Sequence, residues 1–153
     1  MYRLLMLLAV SLLVGCATSA SNSKHQEETS NTLALAEESY RYGLWSEAES
    51  YYQQLVDANP ELYQAWFRLG NIYARSGQLD AAVTMYERCL ELDPEQARGW
   101  YNLSVVRARQ SLQLAMQAQR RFVGSSPEEA QKFTNFRDRL ASALTGKGGS
   151  GAP

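Results

Sequence analysis

The chain of 153 residues has little of what small-molecule or metal chemistry requires. It contains two cysteines, Cys16 and Cys89, and one histidine, His25. Three soft ligands so far apart exclude a structural zinc site, and a lone His in a polar stretch excludes a Ser/His/Asp arrangement. Positive charge is not in excess, with 15 Lys+Arg against 16 Asp+Glu. A nucleic-acid binder is therefore not expected, because nothing is available to displace counterions from phosphates. Apolar runs are short. The longest, Leu4 to Val14, has eleven residues, where a helix crossing a hydrocarbon core of ~30 Å needs about 20. The Gly-rich end, Gly146 to Pro153 (GKGGSGAP), lacks the strand, the helix and the Lys-Ser/Thr ending of a phosphate loop, so it reads as a flexible tail. The paired carboxylates Glu37-Glu38 and Glu128-Glu129 flank helices and read as solvated charge, the latter complementing a helix dipole. No cofactor and no catalysis are expected.

What is present begins with the first residues. A short start carrying Arg3, followed by that apolar run, has the form of a signal peptide over residues 1–15. Its end, Leu13-Val14-Gly15-Cys16, resembles the lipobox of bacterial lipoproteins. The resemblance implies cleavage before Cys16 and acylation (diacylglyceryl on sulfur, palmitate-type acyl on nitrogen). It also implies a mature chain held by lipid in an envelope membrane and facing the periplasm. Two or more acyl chains anchor stably at ~0.8 kcal/mol per buried CH₂. Ala17 rather than Asp follows the Cys, which in enterobacteria-like sorting implies the outer membrane. Residues 16–32 then read as the lipidated Cys and a flexible tether. Thr18 to Thr32 (TSASNSKHQEETSNT) has no periodicity and too little apolar area to order itself, and His25 lies inside it.

The remainder repeats. Trp66 and Trp100 lie 34 residues apart, as do Leu69 and Leu103, Gly43 and Gly77, Ala48 and Ala82, Tyr52 and Tyr86, and Asn59-Pro60 and Asp93-Pro94. Helical amphipathicity gives lags of three, four and seven, so a shared lag of 34 marks a duplicated unit. Apolar spacing predicts a helix over Tyr63 to Arg75, a turn at Gly77 and a second helix over Leu79 to Leu92. Asp93, Pro94 and Gln96 have the spacing of a helix cap, Asn59-Pro60 starts a helix one repeat earlier, and Ser126-Pro127-Glu128-Glu129 opens a last helix over 127–145.

The set Trp66, Leu69, Gly70, Tyr73, Ala82, Tyr86 and Pro94 resembles the tetratricopeptide repeat (TPR). The expected fold is an all-α TPR solenoid occupying 33–145, with repeats at about 29–62, 63–96 and 97–130 and a capping helix over 127–145. The first repeat has Thr32 and Ser39 at the Trp and Tyr positions. The third has Ser104, Arg107 and Met116 at the Gly, Tyr and Ala positions, with Ala118 and Phe122 two residues late. Gly70 is expected where two helices approach, facing Ala82, and Cys89 is expected as a buried hydrophobe.

In that family the first helices line a concave groove that binds an extended peptide or a helix. Carried over, the protein-binding groove is Tyr40, Arg41, Gln64, Phe67, Arg68, Asn71, Arg75, Arg98, Tyr101, Asn102, Val105 and Arg109. Arginines beside aromatics suit an acidic or carboxylate-ended segment, with Phe67 and Tyr101 expected as an exposed aromatic stripe. Some relatives clamp a C-terminal carboxylate. Asn71, Asn102 and Lys132 match that motif, while Phe67 and Phe136 replace two of its cations. The architecture resembles the pilot lipoproteins of type IV or tight-adherence pili and secretion systems, in anchor and repeats rather than in length. It implies an adaptor that helps assemble or localise an envelope complex. A scaffold for peptidoglycan synthases or hydrolases, an accessory subunit of an envelope enzyme complex, and a homodimer joined at the concave face are the other readings.

Overall fold

The structure is a computed structural model that describes residues 26–145. The expected signal sequence, Cys16, His25 and the Gly-rich stretch 146–153 lie outside the described residues. Among the described residues there are six helices and no strand. They are α1 (26–42), α2 (Trp45–Ala58), α3 (Tyr63–Arg75), α4 (Leu79–Leu92), α5 (Ala97–Phe122) and α6 (Pro127–Thr145). None of them is long and apolar enough to cross a membrane. The chain divides into two compact units after Ala65.

The first unit is built on the hairpin of α1 and α2. Gly43 has a φ of +74°, and it terminates α1 by turning the chain where an L side chain would be strained. Leu44 N donates to Ser39 O at 2.9 Å and Gly43 N to Tyr40 O at 3.2 Å, the paired bonds of a Schellman ending. Ala36 and Ala48 are fully buried, so the two helices approach closely. Tyr52 lies buried between them and donates its hydroxyl to Glu37 Oε1 at 2.8 Å. Tyr40 stands edge-on to Tyr52 and to Trp45, with centroids at 6.2 and 5.4 Å.

The second unit repeats this design. Gly77 (φ +79°) ends α3, with Gln78 N on Tyr73 O at 2.9 Å. Tyr86 of α4 is buried and donates to Asn71 Oδ1 at 2.7 Å, the Tyr52–Glu37 bond displaced by one repeat. Leu79, Ala82, Val83, Tyr86 and Val106 form the core, with Phe67, Tyr73, Ala74 and Leu103 packed against it. Burying each large side chain of that set contributes about 1.5–3 kcal/mol. α5 packs on α4 and on α6. Arg107 pairs with Glu87 at 2.6 Å, and Gln110 donates to Asp80 at 2.6 Å. Phe122 stacks on Phe133 with centroids at 6.0 Å, and Arg137 bonds Gln119 at 2.9 Å.

Four expectations are corrected. The tether does not extend to residue 32, since α1 is already helical at residue 26. Gln26, Glu27 and Glu28 are good helix formers, and once Ala36 and Ser39 are packed each further residue adds a bond without a new nucleus. The third repeat does not close at 130. Counting 34 residues on from Gly43 and Gly77 leads to Ser111, which cannot take the left-handed turn without strain, so α5 runs through it to Phe122. Ser111 Oγ bonds back to Arg107 O at 3.1 Å instead. Helix α6 is therefore the second helix of the third hairpin rather than an addition to a completed one. Finally, the Asn59-Pro60 and Asp93-Pro94 pairs stand outside helices. Asn59 and Asp93 end α2 and α4, and α5 begins at Ala97 with no side-chain cap from Gln96.

The contact at Gly70 also differs in its partner. A methyl group there would meet the Tyr86 ring at 2.6–3.0 Å, so the glycine makes room for Tyr86 rather than for Ala82.

Candidate protein-binding site

Helices α3 and α5 together carry seven arginines and no acidic residue, whereas α4 carries Asp80, Glu87 and Glu91 against Arg88 alone. Positive charge is thus gathered on the first helices of the second and third hairpins, although the whole chain is nearly neutral. On α5, Arg98, Tyr101, Asn102, Val105 and Arg109 recur at spacings of one, three and four, so they share one side of the helix.

That stripe is fastened to α3 at two points, its middle and its C-terminal end. Asn102 Nδ2 donates to Asn71 Oδ1 at 2.8 Å, on the oxygen that also accepts from Tyr86. Arg109 Nη1 donates to the carbonyl of Ala74 at 2.8 Å, which meets a carbonyl of the last turn of α3. Asn71, Asn102 and Arg109 are partly buried and hold α3 and α5 together. Arg98 and Tyr101 stand proud of them. Tyr101 is 70% exposed, Arg98 is exposed one turn before it on α5, and Arg75 is exposed at the end of α3. A ring presented to solvent one turn from a guanidinium can stack on a peptide plane while the arginine takes a carboxylate in forked hydrogen bonds.

The expected groove residues therefore separate. Arg68, Asn71, Arg75, Arg98, Tyr101, Asn102, Val105 and Arg109 belong to α3 and α5 of the second unit. Tyr40, Arg41 and Gln64 belong to the first, where Tyr40 is enclosed by Trp45 and Tyr52 and the Arg41 guanidinium lies 5.5 Å from the centroid of the Tyr42 ring. Phe67 is not an exposed aromatic. It packs on the core, 6.0 Å from the Tyr86 ring, because its position on α3 faces α4 as well as the α5 side. Lys132 and Phe136 of the clamp motif line a different hollow, between α5 and α6, and Lys132 is held there by Glu129 at 2.7 Å and Glu128 at 3.4 Å. Those bonds, Glu129 first, hold its ammonium above the ordinary lysine value. The Ala74 carbonyl had no signature in the sequence. The Asn71–Tyr86 bond did have one, since position 37 carries the equivalent acceptor for Tyr52 at the same lag.

Among the described residues no cluster of three or more His, Cys, Asp or Glu is placed to hold a metal ion. Cys89 is fully buried, and that burial, with the Asp93 carboxylate adding to it, pushes its thiol up to about 11. An unfolded thiol ionises near its ordinary value of 9.0. The contribution is therefore intact below pH 9 and lost as the pH rises toward 11, by on the order of 2 kcal/mol. Urea melts at pH 8 and pH 10.5 are expected to show this loss in the native chain and a shallower pH slope in Cys89→Ala. Equal slopes would show that Cys89 does not hold its proton.

The tetratricopeptide repeat profile matches residues 63–96. No curated protein matches the sequence. Among solved structures, the TPR2B domain of yeast Sti1, determined in its complex with pHsp70, is similar at a TM-score of 0.52 and 12% identity, over 75% of this chain and 97% of that one. With helical hairpins closed by glycines one repeat apart, these likenesses show the fold: the chain is an all-α tetratricopeptide-repeat solenoid.

Proposed function

We propose that the chain is a non-enzymatic adaptor that captures an acidic or extended segment of a protein partner on the α3–α5 face. In this reading it is anchored by lipid at Cys16 in the outer membrane, faces the periplasm, and assists the assembly or placement of an envelope complex such as a pilus or secretion machine. The observation that carries the binding role is the exposed Tyr101 with exposed Arg98 one turn away, on helices α3 and α5 that carry arginines and no acidic residue. Fold alone names no partner. The Sti1 domain supports peptide capture by an arrangement of this kind. The lipobox-like Leu13-Val14-Gly15-Cys16 supports the anchor.

Crosslinking in the native envelope, capture of the full chain and mass spectrometry test both parts, with Cys16→Ala in parallel. The expected result is recovery of assembly-machine subunits through the native chain, loss of that recovery with Cys16→Ala, and an acylated N-terminal Cys16 in the native chain only. Recovery of cell-wall synthases or hydrolases would replace the assembly role with a scaffold of envelope growth. An unacylated Cys16 would remove the anchor.

A further inference from the structure

The third hairpin leaves apolar surface uncovered. Ala130 is buried and Phe133 is stacked on Phe122, but Phe136 of α6 is 50% exposed and Leu114 of α5 is 67% exposed. Between them lies a hollow of about 430 Å³ lined by Ser111, Leu114, Ala115, Lys132, Phe133 and Phe136. Its one cation, Lys132, is already bonded by two carboxylates, so the hollow selects for apolar groups rather than for an acid. The stretch after α6, Gly146 to Pro153, carries no large apolar side chain that would fill it.

We propose that this hollow receives Phe136 of a second copy of this chain, with the two α6 helices packed antiparallel about a two-fold axis. The charge along α6 is complementary to itself in that arrangement. Its first half carries Glu128, Glu129 and Lys132, and its second half carries Arg137, Asp138 and Arg139. Antiparallel pairing sets the net negative half of one copy beside the net positive half of the other, whereas parallel pairing sets like against like. Arg139 is exposed and meets no partner among the described residues, while Arg137 is spent on Gln119 and Asp138. Glu129, Lys132, Phe136, Arg139 and Ala143 follow one another at steps of three and four, so the charges and the exposed ring lie along one side of α6, with Phe136 in the middle.

The area is adequate. A helix of 19 residues is about 28 Å long and two helices abreast are about 20 Å across. Two such faces bury about 1,100 Å², which passes the ~1,000 Å² of a specific interface and lies at the weak end of that class. This surface is distinct from the α3–α5 face, so pairing through α6 leaves Arg98 and Tyr101 open in each copy.

The test uses the full chain in its own membrane, with p-benzoylphenylalanine introduced at position 114, 136, 101 or 42. Light is expected to give a dimer-sized product from 114 and 136 and none from 101 or 42. Glu129→Arg and Arg139→Glu, both on exposed surface, are each expected to lower that yield about tenfold. The double variant restores it, because each copy again meets its opposite. Far-UV circular dichroism confirms that all three fold. A dimer product from 101 alone would overturn the proposal by placing the pairing on the α3–α5 face. Crosslinks from 136 to another protein or to lipid would overturn it by naming another occupant. A dimer product indifferent to the charge exchange would overturn the antiparallel arrangement.

Discussion

Gly70→Ala is expected to lower the stability of the chain by about 2 kcal/mol, even though alanine is the better helix former by about 1 kcal/mol. Gly70 is in the interior of α3, buried, with ordinary helical backbone. Its reason is space. A Cβ there lies 2.6 Å from Cε1, 2.7 Å from Cδ1 and 3.0 Å from Cζ of Tyr86. The ring cannot swing aside, since its residue is 1% exposed and its hydroxyl is tied to Asn71 at 2.7 Å. Tyr86→Ala costs about 3–5 kcal/mol by itself through lost burial and a cavity. In the double variant the added methyl meets no ring, so Gly70→Ala on that background is neutral or stabilising. The pair is therefore strongly non-additive. Urea unfolding of the four chains, followed by circular dichroism, measures the coupling. A Gly70→Ala chain that melts higher than the native one would mean that the Tyr86 ring does not lie on α3.

That contact also shows what the sequence could and could not reveal. The lag of 34 and the apolar spacing locate α3 and α4 residue for residue, because Gly77, at φ +79°, terminates one helix and frees the next. The same lag pairs Tyr52 with Glu37 and Tyr86 with Asn71, so one hydrogen bond across the hairpin is written twice in the chain. The third unit departs from the other two at its turn, where α5 runs on to Phe122. Ser111 stands where the turn glycine stands in the others, and a family pattern applied by register places a turn where local chemistry continues a helix. The helical start of α1 before residue 32 is hidden for the opposite reason. Composition registers the absence of a core but not the propagation of a helix from a packed turn at Ala36. For the expected groove, sequence placed the arginines and both asparagines on α3 and α5. It could not distinguish side chains that hold α3 to α5 from those that face outward, since that depends on which carbonyl or amide each one reaches.

This distinction gives the second large effect. Tyr101→Ala together with Arg98→Glu is expected to weaken partner capture about 30-fold or more, the scale of an aromatic and an arginine anchor lost together, with an unchanged melt. Tyr101 is 70% exposed and Arg98 touches no described partner, so neither contributes much to the fold. Asn71→Leu behaves differently. It removes the oxygen that accepts from both Tyr86 and Asn102, which should lower stability by about 1–3 kcal/mol and loosen α5 from α3 before any partner is offered. Arg109→Ala sits between them, since it frees the Ala74 carbonyl to water at one edge of the face. Quantified crosslinking yield beside thermal melts separates the cases. Loss of capture without loss of stability in the Tyr101 and Arg98 variant places the interface on the outward side of α5. Capture that survives there but fails with Asn71→Leu would mean that the partner reads the spacing of α3 and α5 and not their exposed side chains.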